Sequence, residues 1–333
     1  MFEFFGMKRR AVIAILAGAA VARPRAARAQ DAGKHPRIGF LGNSTPALEA
    51  KLVESFRGGL RDLGYAEGRN ISIEYRWANG NYERLPALVA EFIASKVEVI
   101  VTAGTPAALA VKRASSSVPL VMVAVGNPIG NGLVESLARP GGNATGLTSI
   151  APELEGKRLE LIKEVVPAVS RLAVLWNPAN AVMIADEQEV QAAAAALHVP
   201  VLSLPVRTAE ELDDAFAKIL AEGADAVLVP ADRLFLHNRQ RIADFVVEHR
   251  LPAMNAYREL VEAGALMSFG PSYAVMHRQA ATYVDKILKG AKPADLPVQQ
   301  PAKFEFVLNL KSAAAIGITI PHAVMLRADE VIE

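Results

Sequence analysis

The sequence predicts an α/β fold of two doubly wound lobes, and three observations carry that expectation. Short apolar runs alternate with longer amphipathic stretches from Arg37 onward, and the same order begins again at Arg171. The chain also has 333 residues, 52% hydrophobic and 21% charged, which is enough apolar material for two cores.

In the first series RIGFLG (37–42), ISIEYR (71–76), VEVIVTA (97–103) and PLVMVAV (119–125) read as strands. Residues 48–63, 82–95 and 105–114 read as helices, the first stopped by Gly64. The second series places strands at 171–177, 199–206, 224–230 and 251–257, with helices at 185–197, 210–222 and 239–249. Laying Pro119 on Pro252 keeps the two series in step, so the pattern is a tandem duplication. A helix at 276–288, a strand at 303–310 and a short helix at 311–316 stopped by Gly317 follow. A chain that returns after its second series must cross between lobes more than once, and 145–150 and 267–272 are the expected first two crossings. The resulting expectation is an N-terminal lobe of 37–148 plus about 273–298, and a C-terminal lobe of 149–272 plus about 299–333. In such a fold the ligand-facing loops lie beyond the carboxyl ends of the strands, and two facing lobes make a cleft.

Residues 1–29 read as a secretory signal: Lys8, Arg9 and Arg10 precede the apolar run 11–22, and Ala27-Arg28-Ala29 gives a small-x-small cleavage pattern before Gln30. The pair Arg9-Arg10 fits a twin-arginine leader as well as a general secretory one. Twelve apolar residues span only about 18 Å as a helix, short of a membrane core of about 30 Å. Six of the 36 basic and one of the 35 acidic residues lie in this leader, which leaves 30 against 34 and no basic footprint for nucleic acid. There are no cysteines, so disulfides, thiolate nucleophiles and a lipid-modified cysteine are excluded. The expected product is free in the periplasm.

The stretch AVGNPIGNGLV (124–134) ends a strand in a glycine-rich turn, the place for a phosphate cradle. Its glycines Gly126, Gly130 and Gly132 do not match G-x-G-x-x-G, and no G-x-x-x-x-G-K-S/T occurs in the chain. Asn127-Pro128 reads instead as a turn lifting an amide into the cleft, with Pro128 near the start of a helix around Leu133. Thr105 reads as the cap of a helix begun by Pro106, offering amide hydrogens to an anionic group. Asn43-Ser44-Thr45-Pro46 and Asn177-Pro178 are the corresponding loops after the first strand of each series. Trp176 and Tyr257 fall at strand ends, where an aromatic face covers a solute or belongs to the core. Asp232 after VLVP either neutralises a ligand ammonium or caps the next helix. The six histidines show no metal spacing and there is no G-x-S-x-G elbow, so neither metal nor catalytic residues are expected.

Several stretches together resemble one family: VEVIVTAGTPAALAVK, NPIGNGLVESLARPGGNATGLTS, LEGKRLELIKEVVP, VLWNPAN, VPADRL and NLKSAAAIGITIP. They are similar to ABC transporter substrate-binding proteins of the tryptophan/tyrosine type. The resemblance implies a type 1 periplasmic-binding fold, two Rossmann-like lobes joined by a three-strand hinge. It also implies a small polar or amino-acid-like solute trapped by hinge closure, an inner-membrane permease as partner, a monomer, and neither cofactor nor enzyme activity. Carried onto this chain, the expected contacts are Asn43, Ser44, Gly104, Thr105, Asn127, Ser149, Asn177 and Asp232, to which the strand-end reading adds Trp176 and Tyr257. A sensory module with the same lobes, or a periplasmic α/β enzyme, are the alternative readings. One departure stands out: the family commonly has Asp-Pro where this chain has Asn127-Pro128, so Asn127→Asp is expected to alter the charge preference for ligand.

Overall fold

The computed structural model describes residues 35–149 and 152–333, without the side chains of Pro152 and Glu153. The leader and Ile150 of the expected first crossing lie outside the described residues.

Strands β1 (Arg37–Gly42), β2 (Ser72–Trp77), β3 (Val99–Ala103), β4 (Leu120–Val125) and β5 (Ala144–Thr148) form a parallel sheet in the order β2-β1-β3-β4-β5. Between them run α1 (Ala50–Asp62), α2 (Leu85–Ala94) and α3 (Thr105–Ala114). Side chains alternate along each strand. Ile38, Phe40, Val99, Val101, Val121 and Val123 thus pack with Phe56 and Leu60 of α1. Leu41, Ile100, Leu120 and Met122 pack on the opposite face with Val89 and Phe92 of α2 and Ala107 and Val111 of α3.

After β5 the chain enters α4 (Pro152–Val165) and a second sheet. Its strands are β6 (Leu172–Trp176), β7 (Val201–Pro205), β8 (Ala226–Val229), β9 (Ala253–Asn255) and β10 (Met267–Pro271). They repeat the first arrangement as β7-β6-β8-β9-β10, and β11 (Phe304–Asn309) and β12 (Glu330–Ile332) extend it. The equal order in both sheets is what a duplicated unit produces. Helices α5 (Ala181–Ala196), α6 (Glu211–Ala221), α7 (Arg233–His237), α8 (Arg239–Glu248) and α9 (Arg258–Glu262) connect these strands. Helix α10 (Tyr273–Leu288) leaves β10 and packs against α1, β3, β4 and β5 of the first sheet. The chain ends with α11 (Leu310–Ile316), α12 (His322–Met325) and β12.

The lobes are therefore joined where the fifth strand of each sheet ends, and again between Gln299 and β11. These three segments are bonded side by side: Gln299 N–H donates to the Gly146 oxygen at 2.9 Å, Thr148 N–H to the Gln299 oxygen at 2.9 Å, and Ser272 N–H to the Lys303 oxygen at 3.0 Å. Arg158 of α4, fully buried, donates from Nε to the Phe269 oxygen at 2.8 Å and pairs with Glu155, which fixes the second crossing to the start of α4.

Three local expectations change. No helix forms around Leu133: the amides of Leu133 and Val134 both turn back to the Pro128 oxygen, and the Asn131 amide clamps the oxygens of Gly126 and Asn127. Helix α5 starts at Ala181, four residues earlier than expected, because the Asn180 side chain caps it by accepting from Val182 N–H. Helix α3 is capped by Gly104 rather than Thr105, with the Thr105 hydroxyl turned toward the Gly126 backbone.

Gly146 sits in β5 at φ 130°, where an added Cβ would stand against the Met122 backbone. Gly146→Ala is expected to lower stability by about 2 kcal/mol or more, read as a lower urea midpoint with an unchanged slope.

Candidate functional site

The carboxyl ends of the strands of both sheets meet in one cleft. Gly104 after β3, Gly126 after β4 and Ser149 after β5 come from the first sheet, while Ala231 after β8, Tyr257 after β9 and Tyr273 after β10 come from the second. With Tyr82, Thr105, Asn180, Val182 and Arg233 they enclose an inner cavity of about 20 Å³, space for about one water molecule. The lobes approach this closely because Gly126 lacks a side chain: a Cβ there would lie 2.6 Å from a methyl of Val182 across the cleft.

Asp232 organises the second lobe's side of the cleft. Its buried carboxylate caps α7 by accepting from Leu234 N–H at 2.8 Å, and also accepts from Asn180 Nδ2 at 2.8 Å, Asn177 Nδ2 at 3.2 Å and the Tyr82 hydroxyl at 3.0 Å. Burial pushes this carboxyl above its ordinary value, and these donors pull it back. Since Tyr82 follows β2, its bond to Asp232 joins the lobes. A second joint runs from the Ser44 hydroxyl to His237 Nδ1 at 2.7 Å.

Arg233 follows immediately. It is 3% exposed, and its Nε and Nη2 donate to no partner among the described residues. The guanidinium lies over the rings of Tyr257 and Tyr273, 5.2 and 5.3 Å from their centroids, which fixes its plane while leaving its N–H edge free. Unpaired buried donors of a permanent cation are costly, so this edge is built for an anion, and a carboxylate matches the guanidinium fork in two bonds.

The residues expected to contact ligand separate into three groups. Gly104, Thr105, Ser149 and Tyr257 line the inner cavity. Asn43, Ser44, Asn177 and Asp232 surround it without lining it, their side chains given to structure: Asn43 Nδ2 donates to the Ala103 oxygen at 2.8 Å, and Asn177 Oδ1 takes Ala179 N–H. Asn127 and Trp176 stand outside. Asn127 is exposed, at φ 40°, and its Oδ1 accepts from Gly130 N–H at 2.9 Å, so the amide closes its own turn instead of entering the cleft. Trp176 Nε1 donates to Ser203 on β7, the edge strand. The residues missed were Arg233, Tyr82, Tyr273 and Asn180. The signal for Arg233 was present in VPADRL, where a cation directly follows a capping Asp at a strand end.

Among the described residues no group of three or more His, Cys, Asp or Glu is placed to hold a metal ion, and no helix is long and apolar enough to cross a membrane.

A family model described as ABC transporter substrate binding protein matches residues 43–332. A tyrosine-binding protein of Clostridioides difficile is 27% identical over 273 residues, covering 82% of this chain and 78% of the relative. Among solved structures, a conserved domain protein from Vibrio cholerae aligns at 31% identity and a TM-score of 0.82, covering 90% of this chain and 100% of that one. An ABC domain from Streptococcus pneumoniae in complex with L-Trp aligns at 27% identity and a TM-score of 0.82 over the same shares of the two chains.

Two predictions follow from the geometry. Asn127→Asp keeps the acceptor for Gly130 N–H and stays outside the cavity, so calorimetric titration should show an unchanged ligand profile. His277 of α10 is buried and bonded to the Tyr273 oxygen at 2.7 Å; burial, then Arg233, hold its imidazole down at about 4. The unfolded chain takes up that proton near 6.5 and the folded one does not, so stability should fall by about 3 kcal/mol as pH drops from about 6.5 to 4. Denaturation across that range should be flatter for His277→Gln.

Proposed function

This chain belongs to the ABC transporter substrate-binding protein family, and we propose that it is the periplasmic binding component of an importer for a small, carboxylate-bearing, amino-acid-like solute. The observation that carries the reading is Arg233, a fully buried cation with unpaired donors, held between two lobes that bond to each other around it. The relatives support the solute class, since one is named as tyrosine-binding and another holds L-Trp. Opening about the three joined segments admits the solute, and closure is favoured when ligand groups satisfy both lobes. The closed pair of lobes is then the form an inner-membrane permease takes up from a monomer. The ligand leaves unchanged: the cavity wall presents a fixed cation and aromatic faces, and the hydroxyl–imidazole pair of Ser44 and His237 does not line it.

A screen of small carboxylates by thermal shift tests this: ligand at 100 times its Kd adds about 2.7 kcal/mol of stability, and small-angle scattering should record a smaller radius of gyration on binding. Failure of every small solute to shift melting would remove the reading. Ser44 does not line the cavity, so Ser44→Ala tests closure separately from contact. Losing its bond to His237 should cost the closed state about 1 kcal/mol, or about fivefold in Kd.

A further inference from the structure

Beyond a generic amino-acid-like solute, we propose that the cleft selects a carboxylic acid that carries no ammonium group, with its acid on Arg233 and its apolar body directed outward between the lobes. The inference rests on reading the cleft as the solute site.

A zwitterionic amino acid needs two opposite partners in the same cleft. Arg233 supplies one, and it is the sole charged side chain lining the inner cavity among the described residues. The nearest candidate for the other is Asp232. Asp232 does not line that cavity, and four donors already hold it: Leu234 N–H, Asn177 and Tyr82 converge on Oδ1, and Asn180 holds Oδ2. An incoming ammonium would reach it only past Asn180 and Tyr82, which line the cavity and are bonded to it. The other buried carboxylates are outside the cavity wall. Glu49 takes Ser44 N–H at 2.6 Å, Glu155 pairs with Arg158, Asp285 pairs with Lys289 and takes the Tyr65 hydroxyl, and neither Asp186 of α5 nor Glu259 of α9 reaches the cavity lining. The inner cavity thus presents free donors and no carboxylate in its wall, and an ammonium placed there stays unpaired away from water.

The path for the rest of the ligand is also present. Tyr82 and Pro106 line both the inner cavity and an outer groove of about 440 Å³, whose other walls include Leu85, Leu109 and Ala110 of the first lobe and Ala179 of the second. The inner cavity takes little more than a small polar group, whereas the groove has the size of a small-molecule site and a lining that is apolar apart from the Tyr82 hydroxyl and Arg113. An aryl or alkyl monocarboxylate fits this division: the acid inward, the ring or chain outward past Tyr82.

Matched ligands test the proposal on the purified protein by calorimetry. The pairs are L-tyrosine against 3-(4-hydroxyphenyl)propanoate and L-tryptophan against indole-3-propanoate, with tyramine as an amine lacking the acid. The expected result is at least tenfold tighter binding of each deaminated acid than of its amino acid, no binding of tyramine, and at least a hundredfold loss for the acids in Arg233→Gln. Equal or tighter binding of the amino acids overturns the proposal and leaves the solute-binding reading standing, as does binding of a neutral solute alone. No binding by any solute class overturns both. The comparison of matched ligands on the unaltered protein decides the matter even if Arg233→Gln does not fold.

Discussion

The cleft depends on one buried carboxylate and the donors it gathers. Asp232 draws a helix N-terminus, an asparagine amide and a tyrosine hydroxyl onto Oδ1 and a second asparagine amide onto Oδ2, and each bond has a separate structural effect. The first starts α7 and so aims the next residue, Arg233, into the cavity. The asparagine bonds anchor the loop that opens α5, from which Val182 meets Gly126. The last reaches across to the other lobe. Because Asp232 is held by these donors, the charge that lines the inner cavity is that of its neighbour Arg233, and neutralisation of the carboxylate would loosen the cap, the loop and the bond between the lobes together.

Duplication explains why these groups converge. Two sheets with the same strand order, each ending in a crossing after its fifth strand, present their carboxyl ends to one another. The loops after β3 and β4 meet those after β8, β9 and β10 without any long excursion of the chain. The connection is equally economical: three neighbouring segments, bonded to one another through backbone groups, join the lobes.

The sheets were legible in the sequence because a parallel strand covered on both faces must be a continuous apolar run, as PLVMVAV and VEVIVTA are. The repeat was legible for the same reason. The cleft was read only in part. Of the residues expected from strand-end position, Gly104, Thr105, Ser149 and Tyr257 lie in the cavity wall. At Asn127 the local preference of an asparagine side chain for a nearby amide keeps it outside that wall. Arg233 was passed over because an arginine beside a capping residue ordinarily lies in solvent; its burial depends on Tyr257 and Tyr273, whose approach comes from two separate strands. Tyr82 was read as the first residue of a helix, and only the meeting of lobes gives its hydroxyl a partner 150 residues away.

The return of α10 to the first sheet has a consequence for the order of assembly. That sheet is made by residue 148, yet the helix that covers one of its faces beside α1 spans Tyr273–Leu288. During synthesis the N-terminal half therefore carries Ile38, Phe40, Val99 and Val121 on an incompletely covered face while more than a hundred further residues emerge. Pairings across such separations form late, since the chain must first lose the freedom of the intervening loop. The first lobe is not a unit that completes on its own, and a chain cut between β5 and α4 would leave its sheet without the helix that the second half retains.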